Sequence, residues 1–337
     1  MKKRTLTILL VIFVLVVSAM FWAYDTIAKK KYFTEESIDQ VVVYIPTGSH
    51  YQDLLDTLTH KLPKTKTSIF MKLADKMNLS QHIYPGKYII HQPISMLDLI
   101  RSVRSGKRAA VDVTIQSGWN MEQSMKAVFH KLEADSISLL SALRQNGFPA
   151  NDSCTLLPNT YKFYWNTSAP EFVDRVVRES NRFWNNSERK EKLRRLQLTP
   201  KQVYTLASIV FRETNHSEEM PTIAGVYLNR LQKGIALQAD PTVKFAVGDY
   251  ALKRILNKHL EFDSPYNTYK YSGLPPGPIS IPSLQSINAV LNAEEHDYLY
   301  FCAKPDFSGK HNFAKSYRAH LANASRFHRW LNLQNIR

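Results

Sequence analysis

Thr199-Pro200-Lys201-Gln202-Val203-Tyr204-Thr205-Leu206-Ala207-Ser208-Ile209-Val210-Phe211-Arg212-Glu213-Thr214 is the stretch on which the rest of the chain turns. Thr199 can cap a helix, Pro200 suits its first turn, and Gln202 can reach back to complete a capping box. Val203, Leu206 and Val210 then fall on one stripe at helical spacing. The stripe runs on to Glu213, which puts a lone carboxyl on the buried face near the helix's C-terminal end. A charge is expensive there. The stripe alone leaves a second reading open, in which the helix stops sooner and Glu213 meets solvent. Glu218 and Glu219 fall off the stripe or beyond the helix.

Downstream, residues 219–231 carry Ile223, Val226, Tyr227 and Arg230 at helical spacing, and Lys233-Gly234 closes that helix as a C-cap. Three loops follow, at 237–242, 264–269 and 273–279. Pro and Gly fix their turns, while Gln238, Asp240, Tyr266, Asn267 and Tyr269 supply polar side chains. Asp240 before Pro241 also suits a purely structural Asx-turn. A helix starting at Pro282, strands at 298–303 and 311–314, and a closing amphipathic helix at 317–333 complete the C-terminal part.

Upstream, Met1-Lys2-Lys3-Arg4 precedes residues 5–24, which carry no charge and are rich in Leu, Ile, Val and Phe. That run is long enough to span a bilayer and longer than a typical signal-peptide core, so it reads as an uncleaved anchor. Lys2, Lys3 and Arg4 nearly tie with Lys29, Lys30 and Lys31 under the positive-inside rule. The short N-terminal tail tilts the orientation toward N-terminus inside. Residues 25–39 read as a polar tether. Residues 40–115 read as a small α+β module, with strands at 41–45, 87–91 and 109–115 and helices at 51–60, 68–77 and 95–104. Residues 118–184 are mainly helical (121–132, 136–146, 169–183) around an aromatic-dense loop at 156–165. The expected fold is therefore α+β: one N-terminal transmembrane helix, a small module, and a mixed α/β domain over 116–337.

Lys and Arg number 44 against 29 Asp and Glu among 337 residues, a net charge of +15. Such a balance invites a nucleic-acid reading. However, the basic residues are dispersed apart from a cluster at 182–195, and zinc-finger, Walker, Rossmann and RNA-binding signatures are missing. Anionic envelope polymers or lipid head groups account for the charge equally well. Cys154 and Cys302 cannot build a disulfide framework or a metal site by themselves.

The chemistry narrows by elimination. The 11 histidines include no His-Glu-x-x-His, and the Glu213/His216 spacing lacks the second copy that a di-iron bundle needs. Gly-x-Ser-x-Gly does not occur. Neither cysteine sits beside a recognisable base. A carboxyl acid acting on a glycan remains. Ordinary glycosidases need two carboxylates, and Asp240 is the only other acid in the conspicuous loops. One route needs a single acid: the sugar's own C6 hydroxyl attacks C1, and one residue protonates the leaving oxygen and then accepts the C6 proton. Glu213 would have to hold its proton near neutral pH, which burial favours.

Residues 206–214, together with Val226-Tyr227-Leu228-Asn229-Arg230-Leu231, Leu237-Gln238-Ala239-Asp240-Pro241-Thr242, Ser264-Pro265-Tyr266-Asn267-Thr268-Tyr269 and Gly273-Leu274-Pro275-Pro276-Gly277-Pro278-Ile279, resemble in order and spacing the endolytic murein transglycosylases of the YceG-like family. Residues 298–301 and His311-Asn312-Phe313 continue the match. Upstream the likeness is mainly one of layout, with residues 40–115 as a LysM-like module. The resemblance implies a membrane-anchored enzyme that cuts the β-1,4 bond between N-acetylmuramic acid and N-acetylglucosamine within nascent peptidoglycan. It implies 1,6-anhydro-muramyl ends and an end to strand elongation. Glu213 takes the acid/base role, with no cofactor or metal. Gln238, Asn267, Tyr269, Tyr266, Asp240 and Asn229 become candidates for holding the glycan or orienting Glu213. Implied partners are peptidoglycan strands, the membrane and peptidoglycan synthases, with no nucleic acid. The implied location is the inner membrane, with the N-terminus cytoplasmic and the catalytic domain outside. Two positions depart from the family pattern: Phe211, where many members have a second glutamate, and Asn159, where Pro-Asp is usual. The alternative is a non-catalytic glycan-binding scaffold of the cell-wall machinery.

Overall fold

The computed structural model describes residues 2–31, 38–60, 67–147, 155–249, 252 and 255–334. Two compact units divide the chain: residues 1–112 with 131–133 and 162–167, and residues 113–130, 134–161 and 168–337.

The first unit begins with α1 (Lys2–Ala23), followed by a wider helical turn at Tyr24–Ala28. Together they hold a continuous apolar span, Arg4–Ala28, long and apolar enough to cross a membrane. Leu9, Phe13, Leu15 and Phe21 are all exposed, so this helix is apolar without being anyone's core. Next come β1 (Gln40–Ile45), α2 (Tyr51–Thr59), α3 (Thr67–Lys76), β2 (Gly86–His91) and α4 (Met96–Arg104). The two strands pair antiparallel, from Gln40 opposite His91 to Ile45 opposite Gly86. Val41, Val43 and Ile45 alternate inward onto Leu54, Leu58, Phe70, Ile100 and Val103. Ser95 caps α4 by accepting the Asp98 N–H at 3.0 Å.

β3 (Ala110–Ile115) follows, then α5 (Met121–Phe129), α6 (Ser136–Gln145) and β4 (Asn159–Tyr164). β3 and β4 form a two-stranded sheet. The aromatic segment expected as a loop is thus partly a strand. Its alternation explains why: Tyr161 and Phe163 turn inward while Thr160, Lys162 and Tyr164 turn outward.

The second unit continues through α7 (Ala169–Trp184), α8 (Ser187–Leu196), α9 (Pro200–Glu213), α10 (Met220–Gln232), α11 (Asp240–Val247), α12 (Asn257–Leu260) and α13 (Leu284–Leu291). β5 (Tyr300–Ala303), β6 (His311–Ala314) and α14 (Tyr317–Leu333) end it. α8 uses the basic cluster that the sequence offered as a bare charge run; its surface is laced with Glu188–Lys192 and Glu191–Arg194 pairs. α9 starts as its sequence dictates. Gln202 accepts the Thr199 N–H at 2.8 Å, Thr199 Oγ1 accepts the Gln202 N–H at 3.3 Å, and Pro200 opens the first turn. Its burial exceeds one stripe, because every residue from Val203 to Val210 is buried. Tyr204, Leu206, Ile209 and Val210 form one core with Ile223, Tyr227, Ile287 and Val290. A helix enclosed on all sides is a rigid post. Ser208 anchors a loop to it, accepting the Ile279 N–H at 3.0 Å and donating to Thr205 O at 2.7 Å.

Candidate functional site

Glu213 is the last residue of α9, and Thr214 beyond it is extended. The helix runs through Glu213, and the side chain there is half-buried. Tyr227, wholly enclosed on α10, donates its hydroxyl to Glu213 Oε1 at 2.5 Å. Burial is the largest influence on the carboxyl and raises its pKa from 4.5 to about 7. The Tyr227 hydrogen bond opposes the rise, the negative charge of Asp240 adds to it, and Lys244 opposes it. Tyr227 in turn is held firmly as a neutral phenol by burial and by the carboxyl it serves.

The carboxyl opens onto two cavities. One, about 290 Å³, is lined by Arg212, Asp240, Pro241, Lys244, Phe245 and Ile279. The other, about 320 Å³, is bounded by Tyr227, Arg230, Gln238, Asp240, Tyr269, Tyr300 and His311 among others. A larger apolar cavity of about 630 Å³ shares Phe245 and Ile279 with the first and includes Tyr266.

The structure brings Gln238, Asp240 and Tyr269 to the rim around Glu213. Asp240 was expected in a turn but is the first residue of α11, where a carboxylate suits the positive end of the helix dipole. It accepts the Tyr269 hydroxyl at 2.6 Å. Gln238 is exposed and left-handed, with φ of 53°, a conformation that strains any residue with a Cβ. Its N–H donates to Thr268 O at 3.0 Å. Tyr266 is half-buried and packs on Phe245 at 4.6 Å between ring centres, facing the apolar cavity.

The two asparagines occupy different positions from these. Asn267 is fully buried: its amide donates to Leu260 O at 2.9 Å and Phe262 O at 2.8 Å, and its oxygen accepts the Tyr269 N–H at 3.0 Å. Asn229 donates to His296 O at 2.7 Å and Tyr298 O at 3.0 Å. Both amides brace backbone, and neither residue lines the two cavities beside Glu213.

Several contributors were invisible as function in the sequence. Tyr227 read as one more apolar-stripe residue. Arg230 is buried and gathers Leu299 O, Ala236 O, Leu237 O and Gln238 Oε1 at 2.6–3.2 Å, so one guanidinium fixes the backbone of the Gln238 loop. Lys244, Tyr300, His311 and His320 reach the cavities from elements distant in sequence. Helical spacing around Tyr227 and Arg230 hinted at position but not at task. His216, the other half of the Glu-x-x-His spacing, turns to Ser308 O at 2.7 Å. Among the described residues no group of three or more His, Cys, Asp or Glu is arranged to hold a metal ion. Burial pushes the Cys302 thiol up in pKa; among the described residues it has no disulfide partner, and Cys154 lies outside them.

Known proteins resemble this one over most of its length. "Endolytic murein transglycosylase" of Bacillus subtilis strain 168 is 29% identical over 312 residues, covering 85% of this chain and 84% of its own. The protein of the same name from Streptococcus pneumoniae D39 is 26% identical over 323 residues, covering 85% of this chain and 58% of that longer one. The crystal structure of a yceG-like protein from Listeria monocytogenes superposes with a TM-score of 0.54 at 28% identity, covering 85% of this chain and 99% of that one. The model of the YceG-like family matches residues 43–326, a span that contains the Glu213 helix, Tyr227 and every loop around the cleft, and the chain belongs to that family.

Proposed function

We propose that this protein is a membrane-anchored endolytic lytic transglycosylase of peptidoglycan, with Glu213 as its single acid/base. The observation that carries the reading is a half-buried glutamate at the end of α9, held by the enclosed Tyr227 hydroxyl where two cavities meet, with burial raising its pKa to about 7. The names of the relatives supply the substrate class.

The protonated Glu213 gives its proton to the glycosidic oxygen between N-acetylmuramic acid and N-acetylglucosamine. The C1–O bond breaks, and positive charge develops at C1. The C6 hydroxyl of the same muramyl residue then bonds to C1 as the Glu213 carboxylate takes its proton. The product is a 1,6-anhydro end, the acid is regenerated, and no water is consumed. Tyr227 orients the carboxyl and stabilises its charged form between the two steps. Gln238, Asp240 and Tyr269 contact the glycan at the rim, and Tyr266 offers a ring to a neighbouring sugar or its substituents. Asn229 and Asn267 serve the same site by holding its loops. Residues 116–337 form the catalytic domain and residues 40–115 a LysM-like module that holds the strand. The α1 segment anchors the chain in the inner membrane with the N-terminus cytoplasmic, beside the synthases whose products it shortens.

Glu213→Gln keeps the shape of the side chain and removes its titrating proton. Mass spectrometry of digested murein should find anhydro ends with the native protein and none with the variant, while the variant still binds glycan strands. Reducing ends would indicate hydrolysis by a Glu213–Asp240 pair, and a fully active variant would refute the assignment.

A further inference from the structure

A second carboxylate lies close to the cleft and takes no part in the steps above. Glu219, at the entry to α10, is 8% exposed. Its Oε1 accepts the backbone N–H of His311 at 2.9 Å, and its Oε2 lies 2.9 Å from His311 Nδ1. Both side chains are nearly enclosed, at 10% and 13% exposure. A carboxylate has no hydrogen to give, so Nδ1 is the donor, and in the neutral ring Nε2 is left as an acceptor. One carboxylate oxygen would suffice to hold the strand; the second sets the tautomer of the ring.

The ring itself is fixed by packing. It meets Phe301 edge-on, with centres 5.3 Å apart and planes at 88°. Phe301 meets Tyr227 in the same way at 5.9 Å, and Tyr227 holds Glu213. His311 lines the same cavity of about 320 Å³ as Glu213, Gln238 and Tyr269. Among the described residues its Nε2 makes no hydrogen bond to protein. His311 thus lines the space that the glycan would fill, with two aromatic rings, Phe301 and Tyr227, between it and the acid.

We propose that Glu219 fixes His311 as a hydrogen-bond acceptor whose Nε2 takes an O–H or acetamide N–H of the sugar bound beside the scissile bond. This rests on the transglycosylase reading and extends it: His311 is a substrate-binding residue and Glu219 its positioning residue. Neither moves a proton in the reaction.

The test uses the full chain in detergent and uncross-linked peptidoglycan strands as the probe. Nitrogen-15 spectra of the native protein should find His311 protonated on Nδ1 and bare on Nε2. In Glu219→Gln the amide oxygen can still accept the backbone N–H while its NH₂ donates to Nδ1, which turns Nε2 into a donor. That variant and His311→Phe should each raise KM roughly tenfold, the worth of about one hydrogen bond, with kcat and the pH dependence set by Glu213 unchanged. Strand binding to Glu213→Gln, with and without Glu219→Gln, reads the same contact with no turnover. It stays informative even if Glu213 proves not to be the acid. A native ring protonated on Nε2, or a Glu219→Gln protein with an inverted ring and unchanged strand affinity, would overturn the proposal.

Discussion

Replacing Glu213 by Gln should change stability in a way that depends on pH, and the size follows from the structure. The folded carboxyl titrates near 7 against an ordinary value of 4.5. At roughly 1.4 kcal/mol per pKa unit this puts about 3 kcal/mol against the charged form in the fold. Below pH 4.5 both folded and unfolded chains hold the proton and nothing is lost. Between 4.5 and 7 the unfolded chain has released it while the fold keeps it, so native stability declines as pH rises. Above 7 the full cost is present. A Gln at 213 never ionises and still accepts the Tyr227 hydroxyl. The variant should therefore match the native protein near pH 4.5 and exceed it by about 3 kcal/mol at pH 8.5, or about 6–12 °C in the melting temperature of a domain this size. Calorimetry of both proteins across that range is the assay. A difference that does not change with pH would mean that Glu213 is solvated and titrates normally, and the acid role would lose its physical basis. In the native enzyme the same titration should cut kcat/KM about tenfold per pH unit above 7.

Other outcomes follow from neighbouring contacts. Tyr227→Phe removes the hydrogen bond that favours the carboxylate and should move the high-pH limb of the activity profile upward, whereas Asp240→Asn removes a repelling charge and should move it downward; shifts in the same direction would contradict the electrostatics described. Gln238→Gly relieves a left-handed backbone at φ 53°, so it should melt no lower than the native protein, with up to about 1 kcal/mol gained, while raising KM for glycan strands. Gly225→Ala would ordinarily help a helix, but the new Cβ would lie 2.5 Å from Glu294 O and 2.7 Å from His296 Nε2. The clash should prevail and cost about 1–3 kcal/mol in denaturant unfolding.

Local rules carried much of this molecule. Thr199, Pro200 and Gln202 specify the start of α9 with no help from the rest of the chain, since the capping box is made within four residues. The strands at β1 and β2, the apolar span at the N-terminus and the loops rich in Pro and Gly were legible for the same reason: period, propensity and turn chemistry are short-range. The 156–165 segment was misjudged as a loop because its alternation is short, and pairing with β3 supplies what the local signal lacks. α8 was missed because a strongly charged helix has no apolar stripe to betray it.

The sequence by itself placed a carboxyl on a helical stripe, ruled out other nucleophiles by their missing patterns, and so singled out Glu213. It could not say how far that carboxyl was buried, because burial is decided by what packs around α9 from residues far along the chain, such as Tyr227 and Ile287, 14 and 74 positions after Glu213. Only the tertiary structure paired Tyr227 with Glu213, gave Arg230 the task of holding the Gln238 loop, turned the Asn229 and Asn267 amides onto backbone, and set Glu219 against His311. Each of these depends on distances between remote parts of the chain, which spacing along the sequence does not encode.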